Sequence, residues 1–321
     1  MNPGRQRSAP LWVGRLMSFQ TRLRPLKNVS NTFTAFISFV EKKLSVTFLV
    51  TIVQANIIGC DSNWKSIDQK RAETMSDDCA LRGKLAFVMG GGKFGTNALR
   101  YLTGNGAKVL VVDLDCGCMA GSEVAVKADG LAVCDSLRDG QAAFLVGDAI
   151  DLLLFLLETK VPDMVVTAIP GNAVAKVVYC WLARCGMKVE PFSNVVAEVL
   201  ANIPESLVSF VDESCGVIVV SYMSSGMRCR ENCMPPKDVC ALTGRPKLVS
   251  MDKLLEFSVY DLTGISAILR SRQLTGGLGA IDGKELYSFL ERLGTFDKSY
   301  TLAIGTACDC HGVINLVKVT K

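Results

Sequence analysis

The sequence predicts an α/β protein in which a parallel doubly wound sheet precedes a smaller α+β domain rich in cysteine. Three observations carry this reading. A glycine-rich turn sits between an apolar run and a helical stretch. Strands then alternate with helices up to about residue 190, and after Pro191 the pattern changes and cysteines gather on polar loops. A chain of 321 residues has room for two ordinary domains, which we place at 81–195 and 196–321, behind an extension over 1–80.

The extension is basic, with eleven Lys/Arg against four Asp/Glu in residues 1–74. Its apolar run "LSVTFLVTIVQANIIGC" ends at Cys60 and is broken by Gln54 and Asn56. It falls short of the roughly 20 apolar residues of a membrane span, and its cysteine lies far beyond a signal of roughly 15–30 residues. We expect an unprocessed leader or a start-site choice, low order before residue 80, and the ordinary protein from near Met75. Residues 75–321 hold 24 Lys/Arg against 27 Asp/Glu, so no basic surface argues for a nucleic-acid partner. The chain has thirteen cysteines, an odd number, and Cys134, Cys180, Cys185 and Cys215 fall in apolar runs. That usage predicts reduced thiols in a cytoplasmic protein, a subset of them metal ligands.

"KLAFVMGGGKFGTNALRYLTGNGAKVLVVDLD" is the most informative stretch. Lys84 to Met89 reads as a strand, Thr96 to Leu102 as a helix, and Lys108 to Val112 as a second strand. Between them Gly90, Gly92 and Gly95 give G-x-G-x-x-G, with Gly91, Lys93 and Phe94 filling the turn. Each glycine has a physical role: Gly90 for the tight turn, Gly92 for close approach to a pyrophosphate, Gly95 for helix–strand packing. The helix start holds phosphates through its N–H groups and dipole. Asp113 lies eighteen residues after Gly95 and is placed to accept from an adenosine ribose, with Asp115 as the fallback. A carboxylate there repels a 2′-phosphate, so the expected cofactor is NAD(H) on a Rossmann sheet.

"AAFLVGDAIDLLLFLLE" and "PDMVVTAIPGNAVAKVVYCWLARCG" each read as strand, turn and helix, and "MKVEP" as a short further strand. With the "GDA" turn, residues 84–190 resemble the nucleotide-binding regulatory domain of potassium channels and transporters, the RCK or TrkA-N family. The "GGGK" turn also resembles precorrin-2 dehydrogenase, an NAD-dependent enzyme of sirohaem synthesis. The resemblance implies nucleotide binding, with Asp148 and the Ile169–Pro170 loop near the nucleotide, pairing into a homo-oligomer, and a transporter as partner.

In the second half, "SLVSFV", "CGVIVVSYM", "ISAILRSRQL" and the closing "SYTLAIGTA" read as strands, and "DGKELYSFLERL" as an amphipathic helix. "LTGGLGAI" is a second glycine-rich turn, read as a plain loop. "MRCRENCMPPKDVC" spaces Cys229, Cys233 and Cys240 as C-x3-C-x6-C on a polar loop that buries too little to use cysteine as core filler. Clustered thiolates load one small volume with negative charge that a soft cation offsets. "CDCH" supplies a fourth ligand from Cys308, Cys310 or His311, the only histidine. Both an iron–sulfur cluster and zinc fit these donors, and without a metal Cys229 to Cys240 would be free thiols or a redox disulfide. Off the metal, His311 has the chemistry of a proton donor. The chain has no Ser-His-Asp set, no H-E-x-x-H and no P-loop, so no catalytic residue stands out. The expected function is an NAD(H)-binding protein with a cysteine-ligated metal centre, redox or redox-sensing, with an electron-transfer partner. The alternative is nucleotide-sensing regulation linked to potassium transport, with structural zinc.

Overall fold

A computed structural model describes residues 81–223, 226–227, 229–230, 232–234 and 236–321. The readings made for the extension lie outside these residues. Met75–Lys321 forms one compact unit, and the architecture is α/β with two mixed sheets.

The first sheet is centred on short, largely apolar strands. β1 (Leu85–Met89) is buried along its length, and β2 (Lys108–Asp113) is buried at its four central residues. Runs like these suit a sheet covered on both faces. β1 lies parallel to β2 on one side and to β5 (Met164–Thr167) on the other. β4 (Ala142–Val146) follows β2, and the edge strand β3 (Val126–Ala128) pairs with β4, both parallel. The helices α1 (Lys93–Gly104) and α4 (Ala149–Leu157) connect β1 to β2 and β4 to β5, while α5 (Ala173–Arg184) follows β5 and leads out of this sheet. Two short helices, α2 (Met119–Glu123) and α3 (Val133–Ser136), flank β3.

This sheet is mixed, where the sequence suggested a wholly parallel one. β11 (Leu278–Asp282) lies antiparallel on β5, and β10 (Arg272–Thr275) pairs with β11 outside it. "ISAILRSRQL" is therefore two strands. β9 (Ile265–Arg270) belongs to the second sheet, and the chain crosses to the first at Ser271. Periodicity reads the strand character of this stretch but not which sheet each half joins.

The second sheet runs β7–β8–β13–β12–β9, with β6 (Lys188–Pro191) also paired to β13. β7 (Val208–Asp212), β8 (Val217–Ser221), β12 (Tyr300–Ala307) and β13 (His311–Thr320) make antiparallel ladders, and β9 joins β12 in parallel. "SYTLAIGTA" is β12, and a ten-residue strand follows it to Thr320. α6 (Val196–Ala201) and α7 (Met251–Ser258) carry buried faces into the core of this sheet. α8 (Gly283–Gly294) puts Leu286, Phe289, Leu290 and Leu293 into a core that also holds Leu85, Val178 and Val319. One core thus draws on residues from both ends of the described chain.

Candidate functional site

The glycine turn closes β1 and opens α1. Gly90 has φ +97°, in the left-handed region, and its N–H donates to Val112 O at 2.8 Å. A Cβ on Gly95 would stand 1.9 Å from Gly90 O, so the helix packs on the turn only with glycine there. Around Gly92, by contrast, a Cβ would meet nothing within 4 Å among the described residues, and among them this N-cap has no side-chain hydrogen bond. Uncapped N–H groups at the head of a twelve-residue helix suit an anion.

Asp113 ends β2 and turns its carboxylate into this loop. Oδ2 accepts Gly91 N–H at 2.5 Å and Oδ1 accepts Asp115 N–H at 2.9 Å. Asp115 in turn accepts Gly117 N–H at 2.8 Å. Asp148 caps α4, accepting N–H from Ile150 and Asp151 at 2.8 and 3.1 Å. Ile169 follows β5, and its Cγ2 would lie 3.1 Å from a Cβ on Gly90. Pro170 is exposed, and its carbonyl accepts from Lys176 Nζ at 2.8 Å. All of these residues lie at the carboxyl edge of the parallel strands, where open α/β sheets bind ligands. The exposed apolar side chains Leu114 and Val146 stand on the same edge. Reading the sequence missed them, because a single apolar residue at a strand end carries no periodic signal.

The fold brings the two cysteine regions together through strand register. β8 pairs with β13 so that Ser221 stands opposite His311. The cysteine loop therefore leaves its strand beside the Cys308–Cys310 turn, and Tyr222 N–H donates to Cys310 O at 3.1 Å. Cys229, Cys233, Cys308, Cys310 and His311 line one cavity of about 350 Å³. Phe94, from the first turn of α1, forms a further part of its wall. The "LTGGLGAI" turn also approaches this site. Gln273 Nε2 donates to Cys233 O at 2.8 Å, and a Cβ on Gly276 would lie 2.8 Å from Asn232 O.

Cys240 is not on that wall. It is buried, with its Sγ 3.9 Å from Met223 Sδ. Burial pushes this thiol up, but hydrogen bonds from Thr243 and from the N–H groups of Thr243 and Leu242, with the nearby Lys247 charge, outweigh burial and leave it lowered. Burial and the neighbouring Cys233 push Cys229 up to about 11. Cys310 is also raised, by burial first, against a hydrogen bond with Lys247. Burial and the Lys247 charge lower the pKa of His311, which favours the neutral imidazole. A neutral imidazole suits ligation better than proton donation. Its Nδ1 lies 3.9 Å from Cys308 Sγ, and Cys310 N–H donates to that sulfur at 3.4 Å.

The donors are of the kind a soft metal takes, and five of the six proposed ligands share one cavity. Among the described residues, no group of three or more His, Cys, Asp or Glu side chains is already gathered to hold a metal ion. No described helix is long and apolar enough to cross a membrane.

Residues 85–170 match a family model described as "Uncharacterized protein, N-terminal domain", and residues 174–320 match its companion, "Uncharacterized protein, C-terminal domain". A protein of Archaeoglobus fulgidus, described as "Uncharacterized protein", is 32% identical over 232 residues, which is 72% of this chain and 98% of the relative. The chain belongs to this two-domain family. That corrects the resemblance to the RCK or TrkA-N family, whose model does not match. The resemblance rested on the G-x-G-x-x-G and "GDA" turns. Such turns are set by backbone geometry at strand ends, and unrelated sheets of this kind arrive at them independently.

Proposed function

We propose that the chain is an NAD(H)-binding redox protein whose cofactor lies on a Rossmann-like, doubly wound part of the first sheet, beside a thiol cavity that holds a soft metal centre. One observation carries the reading: Phe94, two residues after the open Gly92, is also a wall of the cavity lined by Cys229, Cys233, Cys308 and Cys310. A dinucleotide on the turn and a centre in the cavity would share that wall.

The residues have distinct parts in this scheme. The head of α1 takes the pyrophosphate. The Asp113 oxygens each hold one backbone N–H and keep lone pairs for ribose hydroxyls. Its charge disfavours a 2′-phosphate, and Leu114 and Val146 offer apolar flanks to an adenine. Cys229, Cys233, Cys308 and Cys310 are the donors for the metal, with His311 beside them. Such a centre carries single electrons as an iron–sulfur cluster and braces the loop as zinc.

Calorimetric titration of the full chain with NADH and NADPH tests the first half. We expect NADH to bind more tightly, and Asp113→Ala to weaken NADH about tenfold, in line with the loss of a charged hydrogen bond. Equal binding by wild type and variant overturns the ribose assignment. A visible spectrum of anaerobically purified protein with metal analysis tests the second half. Broad absorbance supports the cluster, colourless protein with bound zinc supports the structural centre, and absence of both removes the metal.

A further inference from the structure

We propose that Asp252 and Arg270 are positioning residues that hold the Cys308–Cys310 turn in place against the thiol cavity, a role that rests on the reading of that cavity given above. Asp252 is the second residue of α7 and is 3% exposed. A carboxylate so buried persists as a charge only with a partner. Its Oδ2 lies 3.6 Å from Arg270 Nη1, while its Oδ1 is buried with no hydrogen-bond partner among the described residues. The head of α7 and the Arg270 guanidinium are thus its compensation, so Asp252 dictates where that guanidinium sits.

The other end of Arg270 reaches the cysteines. Nη2 donates to Asp309 Oδ1 at 2.7 Å, and Asp309 stands between Cys308 and Cys310. Strand register makes this possible: Arg270 pairs with Ala307, two residues before Asp309. The next residue, Ser271, lines the cavity and donates its N–H to Ala307 O at 2.8 Å. One planar guanidinium therefore links a buried carboxylate on α7 to the exposed tip of the β12–β13 turn, a geometry that suits arginine's fork and not a point charge. The apolar packing of α7 runs the same way, since a Cβ on Gly312 would meet Leu255 Cδ1 at 2.7 Å.

The test uses reduced, metal-free full chain and timed alkylation with iodoacetamide, read by peptide mass. Cys310 is 7% exposed, and Cys134, 4% exposed in the first core, is the internal control for global opening. Asp252→Asn and Arg270→Gln should speed Cys310 about tenfold relative to Cys134, leaving Cys229 unchanged. Lys253→Ala on the same helix should not. Asp309→Asn, at the exposed end, gives the same sign without touching the core and decides the matter if the buried variant fails to fold. With Cd²⁺ as probe, the same variants should lose roughly 10- to 100-fold in affinity, the usual effect of groups that orient metal ligands. A wild-type Cys310:Cys134 ratio in Arg270→Gln and Asp309→Asn overturns the inference. Failure of wild type to bind Cd²⁺ removes the metal from the cavity, and the alkylation ratio still decides the positioning role.

Discussion

Gly90 and Gly95 show how little latitude the turn has. One needs a left-handed backbone, and at the other an added Cβ would sit 1.9 Å from a carbonyl oxygen. We therefore expect Gly95→Ala to cost about 1–3 kcal/mol through forced displacement of α1, measured by denaturant unfolding. A Gly92→Ala chain, with open space at that position, should stay near wild type in stability. Equal losses in both would contradict this distinction between a crowded and an open position. Among the cysteines the same scale separates roles that spacing treats alike. Cys229 and Cys233 face a cavity, whereas Cys240, seven residues on, packs against Met223.

Three of the helices start at a side-chain cap. Asp148, Asn172 and Asp282 cap α4, α5 and α8 through side-chain oxygens that accept first-turn N–H groups. Asp282 accepts from Lys284 and Glu285 at 2.9 and 3.0 Å. Asp282→Ala should cost about 1 kcal/mol, seen as a lower melting temperature. Asn172 has a second task, because its Nδ2 reaches Ile304 O at 3.2 Å and Asn315 Oδ1 at 3.0 Å in the second sheet. The β10–β11 hairpin is the element with the largest consequence. It covers the β5 edge of the first sheet and sets its tip against the cysteine loop.

Across the molecule, the two segments matched by separate family models share one hydrophobic core, in which Phe87, Leu153, Phe289 and Val317 all take part. Residues 75–321 should accordingly unfold in a single transition, with tryptophan fluorescence and far-ultraviolet dichroism superimposing. Two separated transitions would contradict a common core. The glycine turn and the strand–helix alternation through residue 191 were legible from residue order, because each depends on contacts between near neighbours along the chain. The crossing of residues 272–282 into the first sheet was not, nor were the strand after Cys310, the burial of Cys240 and the Asp252–Arg270–Asp309 chain. Those rest on pairings between segments tens of residues apart. Local propensity says that a stretch is extended or apolar, but only the packing of the whole chain selects which edge it meets and which thiols share a cavity.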